Sequence, residues 1–239
     1  MENVSYVGLS QQMALQREMD VTANNIANMN TAGYKTQSVL FLQYINKAQN
    51  GDEPLKQVMD YGMYRDMAGG SLKQTFNKLD VGIQGDGYFA VQTPTGVKYT
   101  RDGGFALNDK RELVTKAGYQ VMGESGPITI QADAAEISIT PEGSVATEKG
   151  TLGKIKIVNF ANPQAMKPVG ENLLDAGKEL EQPVQDARIE QGMIENSNVN
   201  PIVEMNKMIG VLRMYQAAQR MLLDDHQSQL ATIQKLTQP

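Results

Sequence analysis

Apolar positions recur at alternating steps of three and four near the end of the chain. Ile202, Met205, Ile209 and Leu212 begin the track, and Gln216, Gln219, Leu223, His226, Leu230 and Ile233 continue it. This is a heptad seam, diluted in its middle by polar residues, and it predicts one helix from Asn200 to Leu236. Asn200 is a good N-cap, Pro201 fits the first helical position, and Glu204 suits the positive helix start. Such a helix spans roughly 55 Å at 1.5 Å per residue. A domain of this size has no need of that length for its own core, so the helix reads as one built to lie along other helices.

The first thirty residues carry a second helical pattern. Tyr6, Leu9 and Met13 form one apolar track, and Leu15, Met19, Ile26 and Met29 form another, rotated slightly round the helix. Together they are wider than one solvent-facing surface requires. Ala23 and Ala27 leave room for a close neighbour. The polar positions are amides rather than charges: Gln11, Gln12, Gln16, Asn24, Asn25 and Asn28 here, and Gln216, Gln219, Gln227, Gln229 and Gln234 in the last helix. A solvated helix face usually carries Glu and Lys, whereas amides can bond a neighbour without the desolvation cost of a charge. Both terminal helices are therefore expected to be surrounded by protein.

Between them the period changes. From Leu79 short apolar runs alternate with turn signals at Pro94-Thr95-Gly96, Asp102-Gly103-Gly104, Asn108-Asp109, Gly118, and Pro141-Glu142-Gly143. That spacing predicts an antiparallel meander or small barrel, continued by Ile155 and Ile157 and closed between Leu173 and Ile194. Residues 36–78 are less regular. Val39 to Ile45 suit a short strand or a helix extension. Asn50-Gly51, Pro54 and Gly69-Gly70 then punctuate a stretch that periodicity alone reads as a long loop. The predicted fold class is α+β: paired N- and C-terminal α-helices forming an inner, coiled-coil-like domain that flanks a β-rich antiparallel outer domain. The expected divisions are 1–35 (first helix), 36–78 (extended arm), 79–197 (β-rich domain) and 198–239 (last helix).

Composition narrows the chemistry. The 239 residues carry a formal net charge of −5, no cysteine and one histidine. Disulfides, thiol catalysis and nearly all zinc chemistry are thereby removed. Dispersed Lys and Arg give no nucleic-acid or anionic-membrane surface. No apolar run approaches the ~18 residues of a membrane span. Met1-Glu2-Asn3-Val4-Ser5 lacks the regions of a secretory signal, so a cytoplasmic chain, or one exported by a route that reads no such signal, is expected.

Several apparent sites are better read as structure. Gly82, Gly85 and Gly87 precede a strand, not a helix, and are turn glycines rather than a dinucleotide loop. Asp102, Asn108 and Asp109 lack the spacing and the bidentate Glu of an EF-hand. His226, beside Asp224 and Asp225, is a seam residue, and Lys110-Arg111-Glu112 is a solvated turn. No catalytic, cofactor-binding or metal-binding residues are assigned.

The exit from the first helix is the most specific motif. In Ala23-Asn24-Asn25-Ile26-Ala27-Asn28-Met29-Asn30-Thr31-Ala32-Gly33-Tyr34-Lys35, Asn30 is expected to close the helix in the left-handed conformation and Gly33 to permit the next turn. This pattern resembles the N-terminal signature of the bacterial flagellar axial proteins, the rod, hook and hook-associated family. Residues 79–91, Tyr99 to Phe105 and 113–123 are similar to that family's middle, and Gln191 to Pro201 to its entry into the last helix. The stretch from Gly123 to Ile130 points more narrowly to its proximal-rod members.

The resemblance implies a structural subunit of the basal-body rod. Its partners would be copies of itself and other rod proteins, and it would leave through the flagellar export apparatus to span the periplasm without a cleavable signal. It implies an assembly interface at Leu9, Met13, Met19, Asn25, Ile26, Asn28, Gly33, Met205, Ile209, Leu212, Gln216, Gln219, Leu223 and Leu230. A distal-rod or hook-type subunit is the same-class alternative. A β-rich glycan-binding or fibre module with coiled-coil ends is the alternative of another class, and a wall hydrolase would require paired carboxylates converging in a cleft.

Overall fold

The structure, a computed structural model, describes residues 2–46, 55–131, 136–184 and 187–237. The chain forms two compact units. One comprises Met1–Ala27, Gln37–Asp66 and Val199–Pro239; the other comprises Asn28–Thr36 and Met67–Asn198.

The first unit pairs helix α1 (Glu2–Ala27) with helix α2 (Pro201–Thr237) and adds a hairpin of strands β1 (Gln37–Asn46) and β2 (Leu55–Arg65). The helices run antiparallel: Asn25 meets Glu204, Glu18 meets Lys207, and Gly8 lies against Leu222. A Cβ on Gly8 would stand 2.6 Å from Leu222 Cδ2, so the absent side chain sets how closely the helices approach. Leu15, Val211 and Ala218 are the buried contact, with Met19 and Tyr215 packed on it. α2 starts as its sequence suggests, with Asn200 Oδ1 accepting from the Ile202 amide at 3.1 Å.

The hairpin takes the strand alternative for Val39 to Ile45 and corrects the loop reading over Leu55–Arg65. Its register shifts between Leu40 and Phe41, so β2 carries an extra residue and the apolar alternation is broken at that point. A bulge of this kind erases the period-two signal on which a strand reading depends. Asn50-Gly51 and Pro54, the turn signals of that stretch, lie outside the described residues, as do Met1 and the side chain of Ile233.

The second unit is antiparallel throughout its described strand pairs. Strand β3 (Leu72–Gln74) pairs with Met193–Glu195, and β4 (Val81–Gln84) with Arg188–Gln191. Strands β5 (Tyr88–Thr93), β6 (Gly96–Thr100), β7 (Phe105–Leu107), β8 (Leu113–Thr115) and β9 (Gln120–Gly123) form the main sheet in the order β6-β5-β9-β8-β7. β5 is buried on both faces. Phe89 and Val91 enter a core with Val81, Leu113, Val121 and Ile189, while Tyr88 and Ala90 enter a second one with Tyr99, Phe160 and Met166. That is why Tyr88-Phe89-Ala90-Val91 reads as an unbroken apolar run. Phe89 and Phe105 pack edge to face at 5.1 Å, and Tyr99 and Phe160 at 4.7 Å.

Candidate assembly surface

Helix α1 divides its two apolar tracks between two environments. Leu15 is buried and Met19 and Ile26 half-buried, whereas Tyr6, Leu9 and Met13 are 61%, 52% and 67% exposed. A groove of about 620 Å³ runs beside the exposed track, lined by Leu9, Met13, Gln16, Arg17, Asp20 and Tyr215 among others. α2 divides likewise. Its face toward α1 steps through Glu204, Met208, Val211, Tyr215, Ala218 and Leu222, all buried or half-buried. The seam singled out by its stronger apolar character lies on another face. Met205, Ile209, Leu212, Leu223 and Leu230 are between 42% and 54% exposed, and Gln216, Gln219 and His226 are exposed as well. The sequence pattern therefore found one seam and missed the other, because Glu204 and Ala218 dilute the track that α1 covers.

The remaining expected interface residues sit in contacts within the chain. Asn25 is fully buried. Its Nδ2 donates to Gln37 O at 2.8 Å and to Glu204 Oε2 at 3.0 Å, and its Oδ1 accepts from Gln37 N at 3.0 Å. One amide thus ties α1 to β1 and to α2 with its polar atoms satisfied. The half-buried Asn28 closes the turn after α1, accepting the Thr31 amide on its carbonyl and the Thr31 hydroxyl on its side chain. Asn30 does not take the left-handed conformation expected of it; Gly33 does, at φ +67. Gly33 is buried in the second unit, where its amide donates to Glu195 O at 2.8 Å. A Cβ there would stand 2.6 Å from the Arg101 carbonyl carbon.

No sequence pattern pointed to the ion cluster beside Gly33. Glu195 is 1% exposed, and its Oε1 accepts from Lys35 Nζ at 2.6 Å and from Gly70 N at 2.9 Å. Its Oε2 lies 2.8 Å from Arg101 Nε, an ion pair not aligned as a hydrogen bond, so the attraction is chiefly coulombic. Lys35 also donates to Ala68 O, and the Arg101 guanidinium to the carbonyls of Gly85 and Gly87. Lys35, Arg101 and Glu195 each belong to one of the three motifs on which the family resemblance rests. They are charged residues buried together, a placement that composition cannot signal. Nearby, Asn198 Oδ1 accepts from both the amide and the hydroxyl of Thr36.

The shifted titrations of the second unit serve packing. Burial, then the hydrogen bond to Glu181, pushes the Tyr99 hydroxyl well above the usual phenol range. Burial raises the Asp102 carboxyl, against the opposing pull of the Gly104 amide and Lys116. The Lys98 ammonium, followed by the Gly177 amide, holds Asp175 below the usual carboxylate range. Glu112 is held down by the side-chain amides of Asn108 and Gln120, so the solvent-accessible Lys110-Arg111-Glu112 turn also carries a small bonded network. Among the described residues no group of three or more His, Cys, Asp or Glu is placed to hold a metal, and no helix is long and apolar enough to cross a membrane.

Three family models match the chain. They are the flagella basal body rod protein at residues 6–35, the flagellar hook protein FlgE/F/G D1 domain at 82–147, and the flagellar basal body rod FlgEFG protein C-terminal region at 190–234. Among curated relatives, the flagellar basal-body rod protein FlgF of Caulobacter vibrioides is 36% identical, over 99% of this chain and 98% of that one. FlgF of Mesorhizobium japonicum is 34% identical over 90% of each chain, and FlgG of Buchnera aphidicola subsp. Acyrthosiphon pisum is 30% identical over 98% and 97%. The chain belongs to the FlgF-like flagellar basal-body rod family. Its function is that of a structural subunit of the rod, and the glycan-binding and fibre alternatives are not favoured.

Proposed function

We propose that the helical unit is the polymerising element of this rod subunit, and that its exposed apolar seam packs against neighbouring subunits to build the wall of a tube. Copies of the chain and other rod proteins supply the neighbours, with the coiled-coil character arising between subunits. The observation that carries this reading is the stripe of Met205, Ile209, Leu212, Leu223 and Leu230, each roughly half exposed on a helix whose other heptad face is already occupied by α1. Exposed apolar stripes of this length mark association surfaces. The α1 residues Tyr6, Leu9 and Met13 add a second patch. The subunit works as a non-enzymatic part of a proximal rod crossing the periplasm, delivered by the flagellar export apparatus. Family membership supports the basal-body location.

Adjacent substitutions test it. Leu212→Asp places a carboxylate on the outward seam, so the isolated protein keeps its melting behaviour but fails to join rods and fails to restore motility. Val211→Asp, one residue away and 2% exposed, buries the charge inside the chain and disrupts the helical pair itself. Normal rod incorporation of Leu212→Asp would overturn the proposal.

A further inference from the structure

A hairpin in the β unit, between Lys167–Pro168 and Leu174–Asp175, turns through an unusual loop. Gly170, Glu171 and Asn172 stand at φ +91, +50 and +58, three left-handed residues in succession, two of which carry side chains. Residues with a Cβ visit that region singly, because the Cβ then crowds the following carbonyl. A run of them persists only where other contacts over-determine it. The base of the loop is fixed: Leu173 is buried in the core with its amide on Gly170 O, and the Val169 amide donates to Leu173 O. Its tip, Gly170 and Glu171, is exposed.

Asn172 supplies the contacts that hold this backbone. Its carbonyl accepts from Thr100 Oγ1 at 3.0 Å, and its Nδ2 donates to Ala32 O at 2.5 Å. Ala32 is buried, and among the described residues no other group bonds its carbonyl. Thr100 Oγ1 also accepts from Asp102 N, an atom 2.8 Å from where a Cβ on Gly33 would stand. The segment Asn28–Thr36, itself part of the β unit, is therefore gripped twice: by this loop at Ala32, and by the Glu195 carbonyl, which accepts the Gly33 amide.

We propose that the loop of residues 169–173 is a sprung clasp on the segment Asn28–Thr36, so that the two order and release together. The inference stands apart from the rod reading. A loop that relaxes toward ordinary backbone withdraws the Asn172 amide and leaves the buried Ala32 carbonyl unpaired. That carbonyl must then reach water, which requires the segment to lift. A segment that lifts, in turn, removes the contact that keeps the loop left-handed, so the coupling is reciprocal. Its reach is bounded, because Lys35 and Thr36 keep their own bonds to Glu195, Ala68 and Asn198. The clasp joins residues 140 apart and makes the order of the turn after α1 conditional on the far half of the β unit.

Amide exchange in the full-length protein, read residue by residue by NMR, tests the coupling. Asn172→Asp keeps a residue that tolerates the left-handed region but turns the donor into a carboxylate facing a carbonyl. The amides of Thr31, Gly33 and Tyr34 and those of Val169 and Leu173 are expected to quicken together, by about tenfold or more, while β5 and β9 keep their protection. Asn172→Gly removes the donor and relieves the backbone at the same residue. The segment amides then quicken alike, but Val169 and Leu173 stay within about threefold of the native rate. Gly33→Ala works from the other side: its Cβ would stand 2.6 Å from the Arg101 carbonyl carbon and lift the segment, and the loop amides quicken with it relative to β5 and β9. Native protection of Thr31, Gly33 and Tyr34 in Asn172→Asp overturns the clasp, as does a loop or a segment that quickens without the other in that variant. Acceleration spread equally over β5 and β9 in every variant also overturns it, because the contact would then serve general core stability and not a local switch.

Discussion

The two units differ in how far they bury their regular apolar stripes, although the β unit also leaves Phe76 and Leu180 exposed outside its core. In the β unit Phe89, Val91, Leu113 and Ile155 are at most 1% exposed, while in the helical unit Leu9, Met13, Ile209 and Leu212 are between 42% and 67% exposed. The difference follows from geometry. β5 is covered on both faces by its own chain, whereas two helices in contact can each bury only one stripe, leaving other stripes bare. Stability of the β unit is thus complete within one molecule. The helical unit is covered where α1 meets α2 and the β1–β2 hairpin, and its remaining apolar area is available to association.

Buried polar groups sharpen this contrast, and removing them should show it. The largest effect is expected from Glu195→Ala, which leaves Lys35 and Arg101 buried without their anion and costs roughly 3–5 kcal/mol. The β unit's thermal melt, followed by near-ultraviolet circular dichroism, should drop sharply; a melt unchanged within a degree would show the cluster to be dispensable. Gly33→Val comes next. Positive φ and the nearby Arg101 backbone make a side chain costly there, about 2 kcal/mol or more, and the loss falls on the β unit because that is where Gly33 is packed. Asn25→Ala removes bonds to Gln37 and Glu204 in the other unit, at about 1–3 kcal/mol. Amide exchange should quicken in β1 and the first turn of α2 while β5 and β9 keep their protection. Equal acceleration in both units would dissolve the distinction between them.

The smallest effect concerns pH. Asp175 titrates below the ordinary range in the folded chain because Lys98 and the Gly177 amide favour its charged form. Its contribution to stability is present above the unfolded carboxyl range and is lost as pH falls through the depressed folded value. Lys98→Met should move the Asp175 carboxyl upward in an NMR titration and shrink the acid dependence of the β unit's melt. A carboxyl that titrates identically in both proteins would remove Lys98 as the cause.

What the sequence disclosed, and what it hid, divides along physical lines. Regular periodicity was legible: α1, α2 with its Asn200 cap, and the turn-bounded strands from Leu79 onward. Gly33 was legible because few residue types suit that backbone, but its neighbour Asn30 misled, since an asparagine that tolerates the left-handed region need not occupy it. A strand over Val39 to Ile45 was one of two readings its apolar run allowed, while β2 was obscured by its bulge. The inward face of α2 was obscured because Glu204 and Ala218 do not look like core, although one answers Asn25 and the other admits α1. The cluster of Lys35, Arg101 and Glu195 lay beyond reach, because three charges far apart in sequence give no sign that they meet. Long-range polar contacts have no period.

The bond between Asn25 and Glu204 joins residues 179 apart in the chain. The contacts that pair α1 with α2 share that order of separation, as between Glu18 and Lys207 and between Gly8 and Leu222, so this pairing is the last able to close. A chain that emerges amino end first exposes α1 long before α2 exists to meet it. The β unit can collapse on strands close in sequence, as β5 does with β6, while both ends remain open. The seams that carry association are consequently presented as finished surfaces only when the whole chain has arrived. Topology alone thereby sets a delay between the appearance of the subunit and its readiness to join others.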